Sequence, residues 1–217
     1  MDATVTSILH KSQEELEMLA RKKVKHLYLG IESGLDDVLK FMKKDHDLAQ
    51  AYQAIDRLHE AGLIYDAHIM TGVAGKGRGM ENAEALAQFL NRTNPAHVVN
   101  FSMFLHKEVP LYQDIRQGTF VPADELETIR EEYHLIERIA PEKAGANILY
   151  DGFHDFIHVR VRGHLPGDKE KMLAKLNGII QEYEGKEPVY SFVQGECPDL
   201  EYCDDGKAVW DMDRKTS

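Results

Sequence analysis

Cysteine is almost missing from this chain: Cys197 and Cys203 are the two among 217 residues, and both lie near its end. A disulfide-stapled secreted scaffold needs a denser, even set, so that class is excluded; reduced thiols in a cytoplasmic protein are expected. Positive charge is also short, with 26 Lys and Arg against 37 Asp and Glu and a formal net charge of −11. That balance argues against a broad phosphate-binding surface, so nucleic acid is not an expected partner. Long apolar runs are absent and the opening residues do not read as a signal peptide, so no membrane partner is expected either. What is present, 43% apolar and 29% charged residues, suits a globular domain able to bury a core.

The order of elements comes from periodicity. Ser12 with Glu15 forms a capping-box pattern ahead of Leu16 and Leu19. Residues 25–31 read as a buried strand, 36–42 as a short helix, and Leu48, Ala51, Tyr52, Ile55 and Leu58 as a helix closed by Gly62. A second strand spans 65–71, followed by the loop "GVAGKGRG", a helix marked by Ala83, Leu86, Ala87 and Leu90, and a third strand at 97–105. Strand and helix in alternation is the grammar of parallel βαβ units. Beyond residue 105 the spacing predicts a short helix closed by Gly118, a longer one through Leu126, Ile129, Tyr133, Ile136 and Ile139, and one or two extended segments within 147–162. A helix after Pro166 carries Met172, Leu173, Leu176, Ile179, Ile180 and Tyr183 on one stripe, and an acidic tail follows.

In a parallel sheet the loops at the strands' C-terminal ends carry the ligand. Those loops here are 32–34, 72–79 and 106–112. In "LYLGIESGLDDVLKFM" an apolar run ends at Gly30 and places Glu32 before Gly34. A carboxylate there can accept hydrogen bonds from two vicinal hydroxyls of a ribose, or can cap a helix or pair with a cation. Lys76 and Arg78 in the Gly-rich loop could hold an anion at a helix N-terminus, though the loop lacks the Ser or Thr that follows the lysine of a Walker A motif. "HDFIHVRVRGH" brings His154, His158 and His164 close in sequence. On one strand His154 and His158 would share a face, as a metal pair requires; hydrogen-bonded or surface histidines are the plainer reading. Arg160 and Arg162 would also share a face, and could bind a carboxylate or phosphate or pair with this protein's own acids.

Three phrases in order, "YLGIESGLDDVLKFMKKDH", "AIDRLHEAGLIYDAHIMTGVAGKG" and "NPAHVVNFSMFLHKEVPLYQDIRQGTF", resemble the second half of a radical S-adenosylmethionine (radical SAM) enzyme. The resemblance covers about residues 24–120 and is strongest to the group of anaerobic coproporphyrinogen dehydrogenase and the methylthiotransferases. It implies an α/β fold: parallel βαβ units forming about half of a partial (β/α)6 TIM-like barrel, with a mainly helical C-terminal extension. The division expected is a partial barrel over 1–122, a helical and extended subdomain over 123–183, and an acidic tail over 184–217. The resemblance also implies S-adenosylmethionine as cofactor. Glu32, beside Ser33 and Gly34, matches the residue that binds the ribose hydroxyls. Ile69, Met70, Thr71 and Gly72 match the strand end beside the adenine, and the stretch from Phe101 to Phe104 would line the next strand end near it. Where the family loop reads Pro-Gly-Glu this chain has Ala74, Gly75 and Lys76, and Glu108, Val109 and Pro110 stand for Gly-Thr-Pro.

Family chemistry also needs three thiolates spaced Cys-x3-Cys-x2-Cys on a [4Fe–4S] cluster, and this chain lacks them. The expectation is a fragment of a radical SAM iron–sulfur enzyme, of oxidoreductase or transferase type. It would contribute S-adenosylmethionine contacts and part of the pocket for a small-molecule substrate, and be inactive alone. The alternative is a stand-alone α/β nucleotide-binding or assembly module. With residues 1–23 read as the end of a third barrel unit, the edge beside 25–31 is expected open, and a homo-oligomer or a partner chain is expected to cover it.

Overall fold

The computed structural model describes residues 1–193. Capping boxes start three helices: Thr4 with Ser7 at α1 (Val5–Leu9), Ser12 with Glu15 at α2 (Gln13–Arg21), and Asp47 with Gln50 at α4 (Leu48–Glu60). Two acids, Asp36 and Asp37, open α3 (Asp36–Phe41), where they suit the positive helix end. Between these helices run β1 (Asp2–Ala3), β2 (His26–Glu32), β3 (Ile64–Thr71) and, after α5 (Gly79–Thr93), β4 (His97–Ser102). Then come α6 (Leu111–Gln117), α7 (Glu125–Arg138), β5 (Ile148–His154), β6 (Val159–Leu165) and α8 (Lys169–Tyr183).

All six strands form one sheet in the order of the chain; neighbours are parallel from β1 to β5, and β6 is antiparallel to β5. Parallel neighbours require crossovers, and the helices between the strands supply them. Period-two burial fixes which face each strand gives to the helices. Leu27, Leu29 and Ile31 of β2, Tyr65, Ala67 and Ile69 of β3, Val98 of β4, Ile148 and Tyr150 of β5 and Val161 and Leu165 of β6 are all buried in one core with residues of every helix except α3 and α6. A smaller apolar cluster caps the C-terminal ends of the strands, built from Val38, Val73, Met103, Leu105, Tyr112 and Phe120 with Phe192.

The α/β class and the parallel order of β2, β3 and β4 stand as the sequence predicted. Four details differ. Residues 2–3 are a strand paired with β2 (Asp2↔Tyr28, Ala3↔Leu29), so the edge beside residues 25–31 is covered over that length. Two residues carry no periodicity, which is why β1 was not legible. The strand at 97–105 ends at Ser102, and Leu105 instead bridges Phe192. The one or two extended segments expected within 147–162 are two strands, β5 and β6, joined by a 3₁₀ turn at Asp155–Ile157, and the difference is that both extend the same sheet. Of the α8 stripe only Met172 and Leu176 are buried; Leu173, Ile179 and Ile180 are partly so.

Candidate functional site

Since alternate residues of each strand face the helices, the others form a second face. Register arranges it in rows. Met70, Phe101, Phe153 and Arg160 lie across β3 to β6 near the C-terminal ends of the parallel strands, and Gly30, His68, Val99, Asp151 and Arg162 form the row beneath. Rings link the rows obliquely: Tyr28 to His68 at 5.0 Å, His68 to Phe101 at 6.0 Å, and Phe101 stacked on Phe153 at 5.8 Å and 17°.

Glu32 reaches the second face by a bulge. The register slips between Gly30 and Glu32, and Glu32 has φ 63°, in the left-handed region. Its carboxylate folds back over Gly30, where an added Cβ would lie 2.8 Å from Glu32 Oε1 and 3.5 Å from Lys44 Nζ. Gly30 therefore leaves the space the carboxylate fills, on the second face. Lys44 donates to Oε1 at 3.1 Å, and the two side chains keep 28% and 23% exposure. An ionised carboxylate accepts at about four sites, so the lysine leaves room for hydroxyl donors.

The other residues singled out from the sequence divide between the two faces and the strand ends. Met70 and Phe101 share the second face with Glu32. Ile69 and Thr71 point into the helix side and are fully buried, and Phe104 stands beyond the end of β4, half exposed. Ser33, Gly34 and Gly72 enter a buried polar network. Ser33 Oγ and the Gly34 N–H both donate to Asn82 Oδ1, at 2.6 and 3.2 Å. Asn82 Nδ2 donates to Glu131 Oε1 at 2.7 Å, and the Gly72 N–H donates to Glu131 Oε2 at 2.8 Å. Asn82 of α5 and Glu131 of α7 thus tie the turn bearing Glu32 to the end of β3.

A second branch runs from α7 to β4 and β5. Asn100 Nδ2 and the Tyr150 hydroxyl donate to Glu132 Oε1 at 3.1 and 2.9 Å. His154 sits between two carboxylates, Nδ1 2.9 Å from Glu125 Oε2 and Nε2 3.1 Å from Glu132 Oε2, with all three side chains at 1% exposure or less. Burial alone would lower the imidazole's pKa, but the Glu125 and Glu132 hydrogen bonds outweigh it and hold it up to about 10. Glu125 is held below its ordinary value: burial pushes it up, and His154, Ser191 and Ser102 pull it further down. Burial pushes Glu131 up to about 8, against the pull of Asn82 and Gly72. Sequence reading missed this network; its signal was that Glu125, Thr128 and Glu132 recur at helical spacing among apolar residues.

His154 is therefore a partner of α7 rather than half of a metal pair. His158 follows the 3₁₀ turn with φ 53° and His164 stands on the second face, so the three do not converge. Among the described residues no group of three or more His, Cys, Asp or Glu could hold a metal ion. Cys197, Cys203 and Trp210 lie outside the described residues. No cysteine precedes Cys197, so the residues present do not fit a [4Fe–4S] cluster. Among the described residues no helix is long and apolar enough to cross a membrane.

This mostly parallel α/β sheet has relatives among known proteins. The profile of the radical SAM superfamily matches residues 2–90, so that part of the chain is similar to a radical SAM domain. The match takes in β1 and β2, and it starts ahead of the resemblance first seen at residue 24. The tRNA uridine(34) acetyltransferase of Methanocaldococcus infernus (strain DSM 11812 / JCM 15783 / ME) is 25% identical over 119 residues, 54% of this chain and 22% of that protein. The solved structure of the archaeal Methanocaldococcus infernus Elp3 with an N-terminal deletion (1–46) has the same fold, with a TM-score of 0.60 at 17% identity, over 83% of this chain and 41% of that one. The chain thus spans well under half the length of either relative.

Proposed function

We propose that the upper row of the second face is one wall of an S-adenosylmethionine site in a radical SAM protein. Glu32 accepts from the two ribose hydroxyls, Lys44 holds the carboxylate in place, and Met70 and Phe101 lie along the adenine. In this superfamily S-adenosylmethionine supplies the radical chemistry; this chain's share is to bind and orient it beside a small-molecule substrate. The observation that carries the reading is the Glu32 carboxylate folded over Gly30 onto the same face as Met70 and Phe101. No step through an iron–sulfur cluster is assigned to this chain, whose two cysteines cannot supply three thiolates, and alone it is expected to be inactive. Whether the whole protein is an oxidoreductase or a transferase follows from its substrate. The β2 edge that β1 leaves uncovered is where we place contact with a second copy or a partner strand, which light scattering would read as a multimer.

Calorimetric titration of S-adenosylmethionine tests the site. Each hydrogen bond to a charged group contributes about 1.5–3 kcal/mol, so losing two costs roughly 3 kcal/mol or more, a drop of about 100-fold or greater in affinity for Glu32→Ala. Lys44→Ala is expected to fall between that variant and wild type. Equal affinity for wild type and Glu32→Ala would remove Glu32 from the site and favour a binding or assembly module of another kind.

A further inference from the structure

Arg160, Arg162 and His164 alternate along β6 with Val161, Gly163 and Leu165. Val161 and Leu165 are buried, and a Cβ on Gly163 would meet Asp168 and Met172, so the three basic residues stand on the second face. Across from them is one carboxylate, Asp151, paired in register with Arg162. Arg160 takes both of its oxygens, Nε donating to Oδ1 at 2.8 Å and Nη2 to Oδ2 at 2.6 Å. Arg162 Nε is 3.6 Å from Oδ2, too far for a hydrogen bond. Two guanidiniums, 51% and 53% exposed, thus share one carboxylate that is 7% exposed. In a chain of net charge −11 this leaves one positive charge uncompensated within the triad. Arg160 takes Asp151 as a two-pronged ion pair, and Arg162 keeps one longer ion contact with the same carboxylate.

The surroundings suit a ligand. The Arg160 guanidinium lies over the Phe153 ring at 4.7 Å, and Phe153 is stacked on Phe101, itself 36% exposed. Lys175 Nζ donates to the Arg160 carbonyl at 2.6 Å and fixes the strand from behind. Planar apolar surface therefore meets a half-exposed cation on a backbone that is held. From β2 to β6 is four strand spacings, roughly 19 Å along the sheet at about 4.8 Å each, so no single ribose reaches both Glu32 and Arg160.

We propose that the β5–β6 end of this face is the substrate subsite, and that it takes a small molecule carrying an oxyanion, carboxylate or phosphate, beside a planar ring. The oxyanion lies on Arg162 with Arg160 next to it, and the ring lies against Phe153. This rests on the reading that the second face is the ligand face, but not on Glu32 binding a ribose.

Wild type, Arg162→Gln and Glu32→Ala titrated with phenyl phosphate, benzoate and neutral benzyl alcohol, with the Phe101 and Phe153 ring resonances followed by NMR, test it. Both anions are expected to saturate the wild type, and the tighter of the two assigns the oxyanion. Arg162→Gln is expected to weaken them at least ten-fold and Glu32→Ala to leave them unchanged, with benzyl alcohol failing to saturate. Arg162→Lys, which keeps the charge and loses the fork, is expected to retain part of the affinity and serves if the glutamine variant unfolds. Equal anion affinity in wild type and both Arg162 variants, or no saturation of either anion at millimolar concentration, overturns the subsite. If the Glu32→Ala variant binds S-adenosylmethionine normally while Arg162 still discriminates the anions, only the ribose assignment falls.

Discussion

Replacing His154 by alanine is expected to cost about 3–5 kcal/mol in urea denaturation, a large share of the roughly 5–15 kcal/mol that holds a domain folded. The imidazole is fully buried and sits between Glu125 and Glu132. Those two carboxylates come from α7, whereas His154 ends β5, so one cation joins the helix to the sheet. Removing it leaves two buried like charges without their counter-ion, besides a cavity. Glu125 keeps Ser102, Thr128 and Ser191 as donors, and Glu132 keeps Asn100 and Tyr150, so part of the loss is offset. A loss below about 1 kcal/mol would mean that the apolar core, not the ion triad, holds α7 in place.

The same groups set the direction of the pH dependence. His154 titrates near 10 in the folded chain against an ordinary 6.5, so its contribution is complete below 6.5 and is lost as pH rises through about 10. Glu131 titrates near 8 against 4.5, so between those values the folded chain holds a proton the unfolded chain has released, and stability falls as pH rises. Glu125 is shifted the other way; its contribution is present above its ordinary 4.5 and lost as pH falls. The three together place maximum stability at about pH 4–5, with a decline toward pH 10 that His154→Ala flattens.

How much of this was legible depended on whether period and burial agreed. On β2 they agree: Leu27, Leu29 and Ile31 are apolar and buried, and the strand, its direction and the exceptional place of Glu32 could all be read. On α7 they conflict. Of the predicted stripe Ile129, Ile136 and Ile139 are buried and Leu126 and Tyr133 only partly so, while the buried positions also include Glu125, Thr128, Glu131 and Glu132. A charged residue at a core position is readable only once its partner is known, and His154 and Asn82 come from distant elements. The site divides in the same way. Glu32 announced itself by a local pattern, while Asp151 with Arg160 and Arg162 became a unit only through the pairing of β5 with β6. Ser33, Gly34 and Gly72 were matched to cofactor contacts by resemblance, and their hydrogen bonds to Asn82 and Glu131 come from elements that only the fold brings together.

Gly34→Ala is expected to be among the most damaging single-methyl additions in the chain. A Cβ on Gly34 would overlap the backbone of α5 at Leu86 N and the Ala85 carbonyl carbon, and come 2.8 Å from Ala85 Cβ. Backbone inside a helix cannot swing aside as the end of a flexible side chain can, so either α5 or the 32–34 turn must move. Moving α5 separates Leu86 and Leu90 from the core; moving the turn breaks the Gly34 and Ser33 bonds to Asn82 and displaces Glu32. Overpacking of this kind costs about 1–3 kcal/mol and more where the obstruction is rigid, and the lost hydrogen bonds add to it. Gly178→Ala is the control. That glycine lies within α8 with nothing within 4 Å of an added Cβ, so alanine is expected to stabilise by about 0.5–1 kcal/mol. Opposite signs of the two in one denaturation series would tie Gly34 to the close approach of β2 and α5. A neutral Gly34→Ala that weakened S-adenosylmethionine alone would make that glycine a ligand contact after all.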